Sequence, residues 1–371
     1  MFGHGKKKVI IIPQINTGNK ITLFQAYILI MMAVGILNHV IIVPILLTAA
    51  KRDAWLSVLV TLAVAPVWVA CLSYIIKDIN GTPFRVWLAR QFGKTLARMM
   101  LLIFSAYLFF MGIISLKDTV TWTVASYLPQ TPVLAIVLAT VIGCVLAANA
   151  GLRSLAILAG ILLPVVIVLG EFVMSANFKY KDYHLLFPVM EFGMTPILNG
   201  MVYAAGGHLE LMGLLFFQEH LSKRPKFGSL MIVSVLLAGL ILGPLMGAIA
   251  IFGPDAAAEQ RYPAFEQWRM VQLGQYLAHL DFFSIYQWLS GTFIRVSLAL
   301  FLMVDIWKPR NRWTWLAAAG LAMIVAIIWP LSDARFLNLL RDVYFPVFVC
   351  VSLGLTALFV IKVSIARIRR R

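Results

Sequence analysis

Apolar runs of roughly 20 residues, the length that crosses a bilayer core, recur along this sequence from end to end. A chain of that kind must satisfy its backbone inside lipid, and continuous runs of this length do so as helices. Composition agrees: of 371 residues, 61% are hydrophobic and 12% charged. Mean hydropathy is +0.91, and soluble domains carry far more charge. Hydropathy and flanking charge place ten expected spans at about 21–49, 54–76, 97–124, 133–149, 154–173, 194–218, 228–252, 282–306, 313–330 and 343–362. The expected fold class is an all-α polytopic membrane protein, with no second, soluble domain.

The net charge of +16 raises the question of a nucleic-acid partner. Nearly all the basic residues sit in short connections or at the ends, which is a topology signal and not a groove for phosphates. No nucleic-acid partner is expected. With a cytoplasmic N-terminus, 21 of the 31 Lys and Arg fall on the inner side and eight on the outer, with Lys117 and Arg295 inside spans. Both termini are then expected in the cytoplasm. The opening "MFGHGKKKVIIIPQ" has too small an apolar patch for a signal peptide. The closing "ARIRRR" reads either as a topology anchor or as a grip on anionic lipid headgroups. Cys71, Cys144 and Cys350 lie far apart inside apolar runs and read as buried free thiols without metal-ligand spacing. The outer segment Gly253 to Asp281 contains "YPAFEQWRMVQLGQYLAHL", free of breakers after Pro263, which reads as a helical lid or packing element.

Two spans carry interruptions. In "YAAGGHLELMG", Gly206 and Gly207 lie near the middle of a span, followed by His208 and Glu210. Paired glycines weaken a helix by up to about 1 kcal/mol each, and ionisable groups at that depth are costly. The expectation is a discontinuous helix; the alternative is close packing through small residues. The first span echoes it in "ILIMMAVGILNHVIIVP", where Gly35 precedes Asn38, His39 and Pro44. These are the first and sixth of ten spans and run in opposite directions. Matching breaks in two inverted halves point to a transporter-type site and a LeuT-like repeat of five plus five spans. Unwinding at Gly35 would free the amides of Ile36, Leu37 and Asn38 for a carboxylate. A break in the sixth span would free the carbonyls of Tyr203, Ala204 and Ala205 for an ammonium. His39 and His208 either line that pocket or pack. Glu210 either serves the ligand or forms a structural pair with His39, His208 or Arg295. Arg295 stays protonated, so it either replaces a bound cation or holds a buried pair. Lys117, Asp118 and Glu171 lie toward the outer side, where snorkelling to headgroups or an aqueous vestibule accounts for them.

The chain resembles the spore germination receptor B-subunit permeases, within the amino acid/polyamine/organocation superfamily. The resemblance runs from "KITLFQAYILI" to the basic tail. It rests on "AAKRDAWLSVLV" at the second span, "GGHLELM" with "LSKRPK" at the sixth, "YPAFEQWR" in the outer loop, and "FSIYQWLSGTFIRVSLALFL" at the eighth. It implies a LeuT-type fold and a single permease-like domain over 1–371, with repeats at about 21–173 and 194–362. It implies a place in the spore inner membrane beside an A subunit and a C-subunit lipoprotein, and the sensing of a germinant such as an amino acid, sugar or nucleoside. The fifth span departs from the family pattern: "GLRSLAILAGILLP" has Arg153 where an acid is common, and Ile157 and Gly160 where charge is expected.

Two functions follow. The first is a germinant-sensing subunit, in which a solute shifts a conformational equilibrium that partner subunits read. The second is a secondary transporter of amino acids or related solutes, with or without coupling to protons. An ion-release channel would need a pore lined repeatedly with polar residues. An enzyme is not expected, because no Ser-His-Asp, HExxH or acid-pair arrangement clusters on the spans; nor is a cofactor or metal.

Overall fold

The computed structural model describes residues 20–272, 274 and 279–369. The N-terminal segment read for a signal peptide, and the last two arginines, lie outside the described residues.

The first rod consists of α1 (Leu23–Ile36), a π turn (Leu37–Ile41) and α2 (Ile42–Ala50). Thr22 starts it with a reciprocal cap: its hydroxyl accepts from the Gln25 amide at 3.2 Å while Gln25 Oε1 accepts from the Thr22 amide at 2.9 Å. This satisfies two of the donors that a helix start leaves open. Then come α3 (Ala54–Ile79), the short α4 (Phe84–Phe92), the long α5 (Lys94–Ser126), α6 (Val133–Ala150) and α7 (Leu152–Ala176). Next, α8 (Met194–Leu209) tightens into a 3-10 stretch (Glu210–Leu215), and α9 (Phe227–Phe252) leads to two outer helices, α10 (Pro254–Glu259) and α11 (Pro263–Arg269). The chain closes with α12 (Phe283–Asp305), α13 (Arg312–Ile328), α14 (Asp333–Leu339), a second π turn (Leu340–Tyr344) and α15 (Phe345–Ile368).

Seven helical stretches among the described residues are long and apolar enough to cross a membrane. The first, Leu23–Ile79, is interrupted at Lys51, whose φ of 48° stops α2, so it covers the first two expected spans. α8 and α13 are shorter than the rest, and α14 to α15 form one long stretch.

The packing repeats with an offset of five spans. α2 packs on α8, α3 on α9, α5 on α12 and α6 on α13. The contact of α1 with α7 is echoed by that of α8 with α15. Two groups result. α1 to α3, α8 and α9 form one bundle, while α5, α6, α12 and α13 form a scaffold that meets it along α1.

The expected unwinding is corrected by the structure. Gly35 lies within α1, and Gly206 and Gly207 lie within α8. The backbone changes winding just beyond each place and does not open. Both π turns precede a proline, Pro44 in one case and Pro346 in the other. Proline offers no N–H to the carbonyl four residues back and crowds it; a π turn accompanies it at these two places, whereas Pro66, Pro164 and Pro244 stand inside α3, α7 and α9 without one. The amide of Ile42 accordingly reaches Leu37 O.

The paired glycines serve close approach. A Cβ on Gly206 would stand 2.8 Å from Phe345 Cδ1, and one on Gly207 would overlap the Asn38 side chain. The outer helix after Pro263 is shorter than expected, ending at Arg269. Cys144 is buried as expected, whereas Cys71 is half-buried and Cys350 is exposed on the outside of the helices.

Candidate functional site

The seam between the first rod and α8 is closed by direct packing. Asn38 is fully buried; its Nδ2 donates to Leu237 O at 2.9 Å, and its other side lies against Gly207. The Leu37 amide donates to Val34 O. His208 is buried, and its Nδ1 is 3.0 Å from Ala204 O, so one of the three carbonyls expected to face an ammonium already has a partner. Tyr203 stands edge-on to Phe345 at 5.8 Å, and Ala205 packs in the core beside it. The predicted pocket between these two rods is therefore replaced by contact, because the glycines let the helices approach too closely for a solute.

Glu210 takes Arg295 as its partner. Arg295 Nη1 and Nη2 each donate to one Glu210 oxygen at 2.5 Å, Nη1 also donates to Ala33 O at 2.7 Å, and Nε donates to Ser115 Oγ at 2.7 Å. Arg295 is 1% exposed and Glu210 4%. A planar guanidinium matches a carboxylate in this two-pronged way and still has donors for other acceptors. One side chain thus ties α12 to α1, to α5 and to the start of the 3-10 stretch.

A mostly apolar cavity with a few polar groups lies on the opposite side of the first rod. It has a volume of about 240 Å³ between α1, the π turn, α7, α9, α11 and α12, and Gly35, Ile36 and His39 line it. None of the predicted residues of α8 does. His39 reaches toward the backbone of Leu240, the carbonyl that Pro244 leaves without a helical donor. Glu171 lines the cavity from α7. Gln287 fixes its far wall, accepting from Trp268 Nε1 at 2.9 Å and donating to Val166 O at 3.0 Å. Gln267, in the roof, donates to Pro244 O at 2.9 Å. Gln267, Trp268 and Gln287 were not singled out from the sequence. The usable signal was Gln287 itself, a polar residue inside an apolar run. An imidazole and a carboxylate among Met31, Leu163 and Trp288 suit a small solute with a donor or cationic end and an apolar body.

Two larger cavities are less suited to that role. One of about 700 Å³ between α5, α13 and α15 is almost wholly apolar, with Lys117 donating to Ile327 O at 3.2 Å at its edge. Another of about 320 Å³ opens at the outer end of α2, lined by Glu259, Arg261, Asp333 and Arg341.

Both ends of the bundle are tied. At the end where α10 and α11 lie, Arg261 donates to Asp118 at 2.6 Å and to Asp333 at 2.7 and 3.1 Å, tying the segment between these two helices to α5 and α14. Burial opposes its charge, yet the Asp118 and Asp333 carboxylates more than offset this and raise its pKa above the ordinary guanidinium value. At the other end, the amide of Ile21 donates to His220 O and that of Ser222 to Ile21 O, both at 2.9 Å. His220 Nε2 is 2.9 Å from Asp305 Oδ2, and Lys308 bridges Asp305 at 2.7 Å and Glu219 at 3.0 Å. Glu219, His220 and Asp305 present their ligand atoms within 4.8 Å of one another, and the Lys308 ammonium supplies the cation there.

Comparison with known proteins agrees with this architecture. The family model described as "Spore germination protein" matches residues 20–333. Spore germination protein XB of Bacillus anthracis is 42% identical over 330 residues, which cover 88% of this chain and 93% of that protein. Spore germination protein KB of Bacillus subtilis (strain 168) is 22% identical over 295 residues, covering 75% and 77%. Among solved structures, a manganese transporter variant from Eremococcus coleocola aligns with a TM-score of 0.58 at 14% identity, covering 91% of this chain and 78% of that one. MhsT in complex with L-phenylalanine aligns with a TM-score of 0.54 at 13% identity, covering 91% and 94%. By sequence this chain belongs to the spore germination protein family, and its helices adopt the LeuT-type transporter fold.

Proposed function

We propose that this chain is the solute-sensing membrane subunit of a spore germination receptor. It acts as one permease-like domain over residues 1–371 with repeats at about 21–173 and 194–362. It crosses the spore inner membrane ten times, with both termini in the cytoplasm, and answers to an A subunit and a C-subunit lipoprotein. A small germinant of amino-acid size binds in the cavity at the first π turn. His39 and Glu171 meet its polar end, and the backbone around Gly35 and Ile36 forms the floor.

The carrying observation is the cavity of about 240 Å³ beside that π turn, roofed by α11, just before which Arg261 is bonded to Asp118. A solute seated there touches both the bundle and the scaffold. Its binding energy therefore differs between arrangements of the two groups, which is the condition for shifting their equilibrium. Thermal stabilisation of the purified chain, screened over amino acids, sugars and nucleosides, tests the proposal. Gly243→Leu fills the cavity, since nothing lies within 4 Å of a Cβ there. It should abolish the shift, as should Gln287→Leu; an undiminished shift in both variants moves the site elsewhere.

The second reading, a secondary transporter, is favoured by the fold shared with a manganese transporter and with MhsT, which was solved with bound L-phenylalanine. Uptake of the stabilising solute into liposomes by the isolated chain would support transport over sensing alone.

A further inference from the structure

A basic platform covers the end of the bundle where α3 finishes, α4 lies and α15 ends. Arg85 and Arg90 project from α4 and Lys94 and Arg98 from the first turns of α5, all exposed. Lys77 is exposed on the last turn of α3. Lys362 rests 5.5 Å over the Phe92 ring, and Arg367 rests 4.2 Å over the Tyr74 ring. Across residues 77–98 and 345–369 the sequence has a single acid, Asp78. Its Oδ2 accepts from Trp87 Nε1 at 2.8 Å and from Gln91 Nε2 at 3.0 Å, which fixes the carboxylate against α4.

The same helix is built to lie at a membrane surface. Phe84, Trp87 and Leu88 are buried, while Val86 is 39% exposed and, just beyond, Leu96 is 43% and Met99 57% exposed beside the cations. Exposed apolar side chains alternating with unpaired cations fit the boundary between headgroups and acyl chains.

Behind the cations stands a cluster of aromatic rings. Phe84 meets Phe104 and Phe216 at 5.5 Å each, and Phe104 meets Phe216 at 5.0 Å. Trp87 and Phe92 meet Phe359 at 5.3 and 5.7 Å. Phe216 directly follows the 3-10 stretch that begins with Glu210. Close-packed rings transmit displacement because they leave no void to absorb it.

We infer that this platform is a binding site for anionic phospholipid headgroups, and that α4 conveys their grip through the rings to Phe216 and the 3-10 stretch. Charge complementarity selects the lipid: Lys77, Arg85, Arg90, Lys94, Arg98, Lys362 and Arg367 share this end of the bundle with one carboxylate, Asp78, and each cation in excess contributes to attraction by an anionic surface. Placement in the cytoplasmic leaflet rests on the topology proposed above; the lipid assignment itself does not.

The test uses the full chain in nanodiscs of phosphatidylcholine alone or mixed with phosphatidylglycerol. Discs present lipid to both faces without added solute, so the outcome is independent of orientation and of any germinant. Thermal midpoint and hydrogen exchange over residues 210–221 are read in both discs. Phosphatidylglycerol should raise the midpoint and slow that exchange, by roughly fivefold for each basic residue engaged, and salt should erode the effect. The triple variant Arg85→Gln, Arg90→Gln, Lys94→Gln should lose both responses, whereas Lys179→Gln with Arg335→Gln should keep them. Phe84→Leu should keep the midpoint response and lose the slowed exchange. Equal behaviour in the two discs, or an undiminished response in the triple variant, would overturn the assignment. So would an equal response to soluble polyglutamate in phosphatidylcholine discs, which would give the surface to an acidic protein segment.

Discussion

Arg295 and Glu210 face each other as a two-pronged ion pair, 2.5 Å on each arm, with almost no exposure to solvent. The guanidinium also holds Ala33 O and Ser115 Oγ, so four separate segments meet at one charge. Removing one partner strands the other inside lipid, at a cost of about 3–5 kcal/mol. Glu210→Gln and Arg295→Met are each expected to lower the thermal midpoint sharply in detergent. Glu210→Met combined with Arg295→Met should recover part of the loss, because no buried charge is left unpaired. A double variant no better than the worse single one would contradict a mainly electrostatic clamp.

The contact between Gly207 and Asn38 makes a second prediction. Gly207→Ala places a Cβ into the Asn38 amide, and overpacking of this kind costs about 1–3 kcal/mol. Asn38→Ala removes the obstacle along with the bond to Leu237 O. The double variant should be more stable than the sum of the two singles implies, since residues in contact are not additive. A double-mutant cycle on urea or thermal midpoints reads this directly, and simple additivity would contradict it.

At the outer face, Arg261→Gln leaves Asp118 buried with no cation beside it. Arg261 is itself partly exposed, so the loss is expected near about 2 kcal/mol, the low end for a hydrogen-bonded charge pair. That corresponds to roughly a thirtyfold rise in the open population of the outer segment. A cysteine at Gly170, on the cavity wall, should react faster with a water-soluble thiol reagent in this variant. An unchanged rate would show that α10 and α11 are held by packing alone.

At the opposite end, Asp305→Asn weakens the ties to His220 and Lys308 together. The bridge between Ile21 and Leu221 should then exchange its amide hydrogens faster, while the clamp region around Ala33 stays protected. Equal protection of both regions before and after the change would remove Asp305 from any latch.

Much of this architecture was readable in the chain. Every expected span coincides with a helical rod, because continuous apolar runs have few other ways to exist in lipid. The first and sixth spans were expected to be broken, and both instead change winding; Arg295 was among the partners considered for Glu210. The form of the irregularity was misjudged. Gly35, Gly206 and Gly207 suggested open backbone, yet the winding changes beyond them, at Leu37–Ile41 and Glu210–Leu215. Pro44 and Pro346 follow the two π turns, but proline alone does not announce one, since Pro66, Pro164 and Pro244 sit in unbroken α-helix.

Local sequence alone established where the rods run and the end of the bundle at which cations collect. Each of these depends on neighbours a few residues away, or on the cost of moving one residue into lipid. Which face of a glycine pair meets another helix, which acid closes on Arg295, and on which side of the first rod a cavity forms depend on residues far apart in the chain. Asn38 and Gly207 touch across 169 positions, and a contact of that kind exists only after the bundle and scaffold have packed.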